Sequence, residues 1–216
     1  MYTVYIISTI CWTFLNFVYL YYNANNKKLA SNFTSATHAT SVVFAYLLGI
    51  PGQYLFYASC GYYCFDGILN FYEFIFTKRL QNFLMIFHHF ISIYGLSCME
   101  IPELYHHVYY AFFLIEVSNF PIYVIYHLKT IKYSNQCIII LVLLSEILMS
   151  FICRMVFGLK HCIHAYTTTH GYGTFIIVLG TTLYSLSGLW LFGMCLQLKA
   201  IIFSSNQKRV LDKKIE

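Results

Sequence analysis

Charge is what this chain has least of. Only 10% of its 216 residues are Asp, Glu, Lys or Arg, against roughly a quarter in soluble domains, so a water-soluble fold of this size could not cover its surface. The eight cysteines contain no CxxC pair and no zinc-type spacing. Most lie in apolar stretches, where a thiol behaves as a small hydrophobe, so they supply neither a redox framework nor a metal knuckle. A continuous basic stripe is also missing. The 13 Lys and Arg, which outweigh 8 acids for a formal charge of +5, come in twos along the chain and mass at its end, which argues against nucleic acid as a partner. There is no internal repeat, no soluble domain and no long linker.

What remains is apolar and aromatic, at 59% and 20% of residues, with 21 Tyr and 20 Phe. Rings with a polar tip suit membrane interfaces and lipid-lined pockets. A membrane helix needs about 20 mostly apolar residues, and seven stretches qualify: 4–22, 39–57, 59–76, 83–102, 104–128, 138–159 and 174–200. The expected fold is all-α, a polytopic bundle of about seven spans. The first stretch lacks a basic leader region and a small-residue cleavage site, so it is expected to stay as an anchor.

Eleven of the thirteen basic residues fall in alternate connections: Lys27 and Lys28, Lys78 and Arg79, Lys129 and Lys132, then Lys199, Lys208, Arg209, Lys213 and Lys214. The positive-inside rule places those connections and the C-terminus in the cytosol and the N-terminus outside. Arg154, inside the sixth stretch, and Lys160 are the exceptions, and the 98–103 loop, CMEIPE, carries only acid. The sequon Asn32-Phe33-Thr34 falls on the cytosolic side in this reading, and such triplets arise by chance in Asn-rich chains. Lys213-Lys214-Ile215-Glu216 has the form of a dilysine signal read on the cytosolic face, or of a basic tail held by anionic lipid. Pro51 and Pro121 interrupt the second and fifth stretches. Thr181, Ser185 and Gly188 give the seventh a small-residue face open to another helix, so an oligomer is possible.

Ionisable groups inside a membrane cost about 2.5–3.5 kcal/mol each even on lenient scales, so they face partners or a cavity. Asp66, Asn70 and Glu73 share one face of the third stretch. His88, His89 and Ser92 lie on the fourth, Glu116, Ser118 and Asn119 on the fifth, and Glu146, Ser150 and Arg154 on the sixth. Rise per residue puts His88 about 8 Å from the cytosolic ends, with Asp66 and Glu116 near mid-membrane. Such groups either satisfy one another between helices or converge on a polar pocket open to the cytosol.

The runs GYYCFDGILNFYEF, FLMIFHHFISIYG and FFLIEVSNFPIYV, in that order, resemble the TLC domain of translocation-associated membrane proteins and ceramide synthases. Ser35-Ala36-Thr37-His38 resembles its opening Ser-x-x-His. The likeness covers residues 32–200, leaving 1–31 as an anchor with a first cytosolic loop and 201–216 as a basic cytosolic tail. In ceramide synthases the resemblance implies an intramembrane His followed by His-Asp and further aspartates. Here His88-His89 is present, but residues 90–128 hold no Asp, with Glu116 the mid-helix acid. That departure brings the chain closer to the small non-synthase TLC proteins linked to membrane lipid composition.

Three functions are compatible with these residues. The first is binding, sensing or regulating membrane lipid, with Glu73, Asn70, Ser92, Asn119 and His38 lining the site. The second is acyl transfer, with His88 or His89 as nucleophile or base, Glu116 or Asp66 orienting it, and fatty acyl-CoA as a partner. The third is metal-dependent lipid oxidation, prompted by His106, His107, His161, His164 and His170, which sit in expected outer loops and form no complete His box. No cofactor and no metal site are expected. Cys60, Cys98 and Cys162 fall near the outer ends, where one disulfide is possible. The tail and the resemblance both point to the endoplasmic reticulum. Replacing Lys213 and Lys214 with Ser should release part of the protein to later compartments, scored by fractionation or microscopy; unchanged location would reduce the tail to a basic anchor.

Overall fold

A computed structural model describes residues 2–169 and 171–212, without the side chains of Tyr2 and 204–212. The dilysine-like Lys213-Lys214 pair and His170 lie outside the described residues, as do the side chains of Lys208 and Arg209. The described residues are all-helical. The order is α1 (Tyr2–Tyr22), α2 (Lys27–Leu47), α3 (Gly52–Thr77), α4 (Leu80–Ser97), a 3-10 turn (Cys98–Glu100), α5 (Pro102–Thr130), α6 (Gln136–Ser150), a π-helical segment (Phe151–Phe157), α7 (Gly158–Thr168) and α8 (Gly173–Asp212). Because α6, the π segment and α7 run on without a break, seven helical rods result among the described residues. Five helices are long and apolar enough to cross a membrane: Thr3–Tyr22, Leu80–Glu100, Pro102–Thr130, Gln136–Thr168 and Gly173–Phe203.

Successive rods run in opposite directions, as bonds at both ends show. At one end Asn32 of α2 donates to the Tyr123 carbonyl of α5 at 3.0 Å, and Lys129 donates to Gln197 Oε1 of α8 at 2.9 Å. At the other, Tyr109 of α5 donates to the Ile50 carbonyl before α3 at 2.8 Å, and His107 of α5 meets His161 of α7. The paired basic residues after α1, α3 and α5 therefore collect at a single end. Asn32 is not in a loop: its amide nitrogen, the atom a glycan would take, is spent on α5.

The second expected stretch, 39–57, is corrected. The chain turns at residues 48–51, where Gly49 adopts φ +67 and Pro51 starts α3 without an N–H to give. The polar run before it, which lies outside the expected apolar stretches, is most of α2. Its hydroxyls explain why: Thr34, Ser35, Thr37, Thr40 and Ser41 each donate to the carbonyl four residues back. Polar groups satisfied within their own helix can be packed among other helices, and α2 packs on α1, α3 and α5. Helix α2 runs through 31/32 and α8 through 200/201, so neither division coincides with a break in secondary structure. Pro121 lies inside a continuous α5.

The core is an aromatic layer of Trp12, Phe56, Tyr62, Tyr63, Tyr109 and Phe112 between α1, α3 and α5. Gly61 allows α1 and α3 to approach: a Cβ there would fall against the Ser8 side chain and 2.8 Å from its backbone carbon. On α8 the close approach is at Gly180, under Cys162 Sγ, whereas Thr181 and Ser185 are exposed and Gly188 meets only Met155. Cys60, Cys98 and Cys162 are free thiols, the first two buried. Gly61→Leu should lower stability by about 1–3 kcal/mol through overpacking, measured by thermal unfolding in detergent. Ser8→Gly should restore only part of it, since backbone also blocks the site.

Candidate functional site

Most of the buried polar residues form one layer across α2, α3, α4, α5 and the π segment. Glu116, 2% exposed on α5, is its hub. Tyr63 of α3 donates its hydroxyl to Glu116 Oε1 at 3.0 Å, and Asn119, one turn along α5, donates to Oε2 at 3.0 Å. His38 of α2 brings Nδ1 to 3.8 Å from Oε1 while its Nε2 meets Ser59 Oγ at 3.0 Å. The His38 ring stacks on Tyr62 at 4.0 Å between centroids. Tyr62 in turn donates to Ser35 Oγ at 2.8 Å.

Arg154 closes the layer from the π segment. Its Nε donates to Ser118 Oγ at 2.6 Å and its Nη2 to Asn119 Oδ1, with the guanidinium 5.7 Å from the Trp190 ring of α8. Arg154 reaches a carboxylate only indirectly: Asn119 stands between, accepting from Arg154 and donating to Glu116. Glu146 and Ser150, two turns and one turn earlier, are buried; Glu146 Oε2 and Ser150 Oγ have no hydrogen-bond partner among the described residues. The π turn is why the three do not act as one face. Its wider turn rotates Arg154 away from the α-helical spacing that a straight helix would give.

Adjacent residues on a helix point about 100° apart, and the His88-His89 pair divides accordingly. His89, 4% exposed, donates from Nε2 to Asp66 Oδ2 at 2.6 Å, and Asn70 supports the same oxygen at 2.9 Å. His89 Nδ1 has no hydrogen-bond partner among the described residues. His88 turns the other way, edge-on to Trp190 at 4.8 Å. A buried imidazole held by a carboxylate, with its second nitrogen unused, is the arrangement of a general base or nucleophile. His89, not His88, has it.

Of the other expected residues, Asn70, Asn119 and His38 belong to the layer, Ser92 is half-buried beside it, and Glu73 does not belong. Glu73 is exposed, because α3 beyond Asn70 has little packed around it. Sequence reasoning missed Tyr63 and Ser59. Ser59, Tyr63, Asp66 and Asn70 continue the polar face of α3 at steps of four, three and four residues, a signal hidden by the abundance of tyrosine.

A cavity of about 120 Å³ reaches Tyr63 and runs between α4, α5, α7 and α8. Ile91, Leu96, Phe112, Ile115 and Leu179 are among its walls, and His107 and His161 stand at its far end. Its direction corrects the expected polar pocket open to the basic end: the space beside the network is apolar and leads to the opposite end. The outer-loop histidines are corrected as well. His107 is on α5 and His161 and His164 are on α7. His161 Nε2 donates to the His107 carbonyl at 2.9 Å, and the His107 ring lies 5.5 Å from that of His164. No group of three ligands fit to hold a metal occurs among the described residues.

No family model, curated protein or solved structure matches the chain. Arg154→Met should cost about 3–5 kcal/mol, the penalty for breaking one side of a buried charged network. Glu116→Gln combined with it should be less than additive in a double-mutant cycle read by thermal unfolding. Simple additivity would show that Asn119 does not couple the two.

Proposed function

We propose that the protein is a seven-span membrane protein of the TLC type that binds or regulates membrane lipid by taking an acyl chain into the cavity beside Tyr63. The supporting observation is the continuity of an apolar cavity with a buried polar layer. Tyr63 lines the cavity with its ring and holds Glu116 with its hydroxyl. An apolar chain is the solvent-matched occupant of such a space, and a few convergent polar groups at its inner end would recognise a chain terminus or headgroup. The seven antiparallel rods and the gathering of basic residues at one end support an N-terminus outside and a C-terminus in the cytosol. The TLC resemblance supports residence in the endoplasmic reticulum.

Depth is consistent with lateral entry from the lipid. His107 is 22 residues from Lys129 along α5, about 33 Å, which spans a hydrocarbon core of roughly 30 Å. The far end of the cavity thus lies at the level of the opposite headgroups.

The second reading is acyl transfer, favoured by the 2.6 Å contact between His89 and Asp66. Here His89 Nδ1 would attack an acyl thioester carbonyl of fatty acyl-CoA, expelling CoA thiol, and the acyl-imidazole would pass the group to an amine or alcohol.

Lipid mass spectrometry of purified protein and of expressing cells separates these functions. Ala111→Phe, which narrows the cavity, should strip the bound chain without unfolding the protein. A co-purified lipid content unchanged by Ala111→Phe would defeat the cavity reading. The acyl-transfer reading requires an acyl adduct on wild type that His89→Ala removes and His88→Ala retains. If His89→Ala abolishes the folded protein while His89→Leu recovers it, the imidazole is only structural.

A further inference from the structure

Among the described residues Lys160 is the one Lys or Arg placed toward the end opposite the paired basic residues, and the positive-inside rule gives no reason for it to be there. It is exposed on α7 and makes no ion pair among the described residues. It does not stand alone on a convex surface, where a lysine would simply extend toward water. It lines a surface groove of about 440 Å³ together with Phe151, Met155, Leu159 and Ile163 on its own rod and Tyr184 of α8 opposite. The groove begins in the π segment, which contributes Phe151 and Met155. It is separate from the cavity beside Tyr63, with which it shares no lining residue.

Its depth identifies what it faces. The rod Gln136–Thr168 is 33 residues long, about 50 Å, which exceeds a hydrocarbon core of roughly 30 Å. Gln136 follows the basic α5–α6 turn, so Lys160, 24 residues on, stands about 36 Å away at the far headgroup level. From there Leu159, Met155 and Phe151 lead back into the hydrocarbon over about 13 Å. A single cation at headgroup depth above an apolar trough matches one molecule: a phospholipid with a net negative headgroup, its phosphate at Lys160 and one chain along the trough. Tyr184, whose hydroxyl makes no hydrogen bond among the described residues, supplies a polar edge to the same groove.

We propose that the groove between the π segment with α7 and α8 is a binding site for one anionic phospholipid of the leaflet opposite the basic end. This site is independent of what the inner cavity holds. The test uses the full chain in nanodiscs or mild detergent, with native mass spectrometry counting bound phosphatidylserine against phosphatidylcholine of identical chains. Wild type should favour phosphatidylserine by about fivefold, the worth of one basic residue at a membrane surface. Lys160→Gln should equalise the two lipids, and Lys160→Arg should keep the preference. Val156→Trp or Met155→Trp, which fill the groove and leave Lys160 in place, should lose the bound phosphatidylserine, with thermal unfolding checking that either remains folded. A preference that survives Lys160→Gln, or is absent in wild type, overturns the proposal. A preference that survives a folded groove-filled variant overturns it too, since the lysine alone would then suffice.

Discussion

The layer centred on Glu116 is the constraint on which the bundle depends. A carboxylate 2% exposed among helices that are otherwise apolar is tolerable only with its oxygens occupied. Tyr63 and Asn119 occupy them. Those partners fix the rotation of α3 against α5. Asn119 also receives Arg154, which fixes the rod carrying the π segment. In water the same rods would be sorted by burying apolar faces. In a membrane lipid tails compete equally for those faces, so directional contacts and close packing decide which faces meet.

The aromatic residues complete what the polar layer begins. Trp12, Tyr62, Tyr63 and Phe112 surround His38 at ring separations of 4.0–6.1 Å. This shell excludes water from the imidazole and from Glu116 alike. Trp12 also ties α1 to α3 through its indole N–H, which donates to the Ala58 carbonyl at 2.8 Å. The first helix, although mostly exposed, is thereby joined to the same core.

Long apolar stretches made the all-helical fold and most of its helices legible in the sequence, because length and hydropathy are local properties. The exception was α2. Hydropathy scores a hydroxyl as if it faced water, whereas the hydroxyls from Thr34 to Ser41 bond backward to their own helix. Gly49-Ile50-Pro51-Gly52 carried the turn signal that apolarity obscured. At the site, Asp66, His89, Glu116 and Asn119 were legible because charge and amide groups stand out in apolar helices. Tyr63 did not stand out among 21 tyrosines. Nor could spacing on one helix show that His88 and His89 serve different neighbours, since that depends on where α3 and α8 pack.

The π segment has a consequence for how the chain tolerates change in length. A π turn carries one residue more than the α turn it replaces, so residues 151–157 hold a local surplus. Deleting one residue there would let the rod relax to α-helix with Gly158–Thr168 kept in phase. The neighbouring helices could stay where they are. Elsewhere in the same rod a deletion would rotate everything beyond it by about 100° and carry His161 off His107. The segment is thus the one place along this rod where a change of one residue could be absorbed without re-registering the bundle.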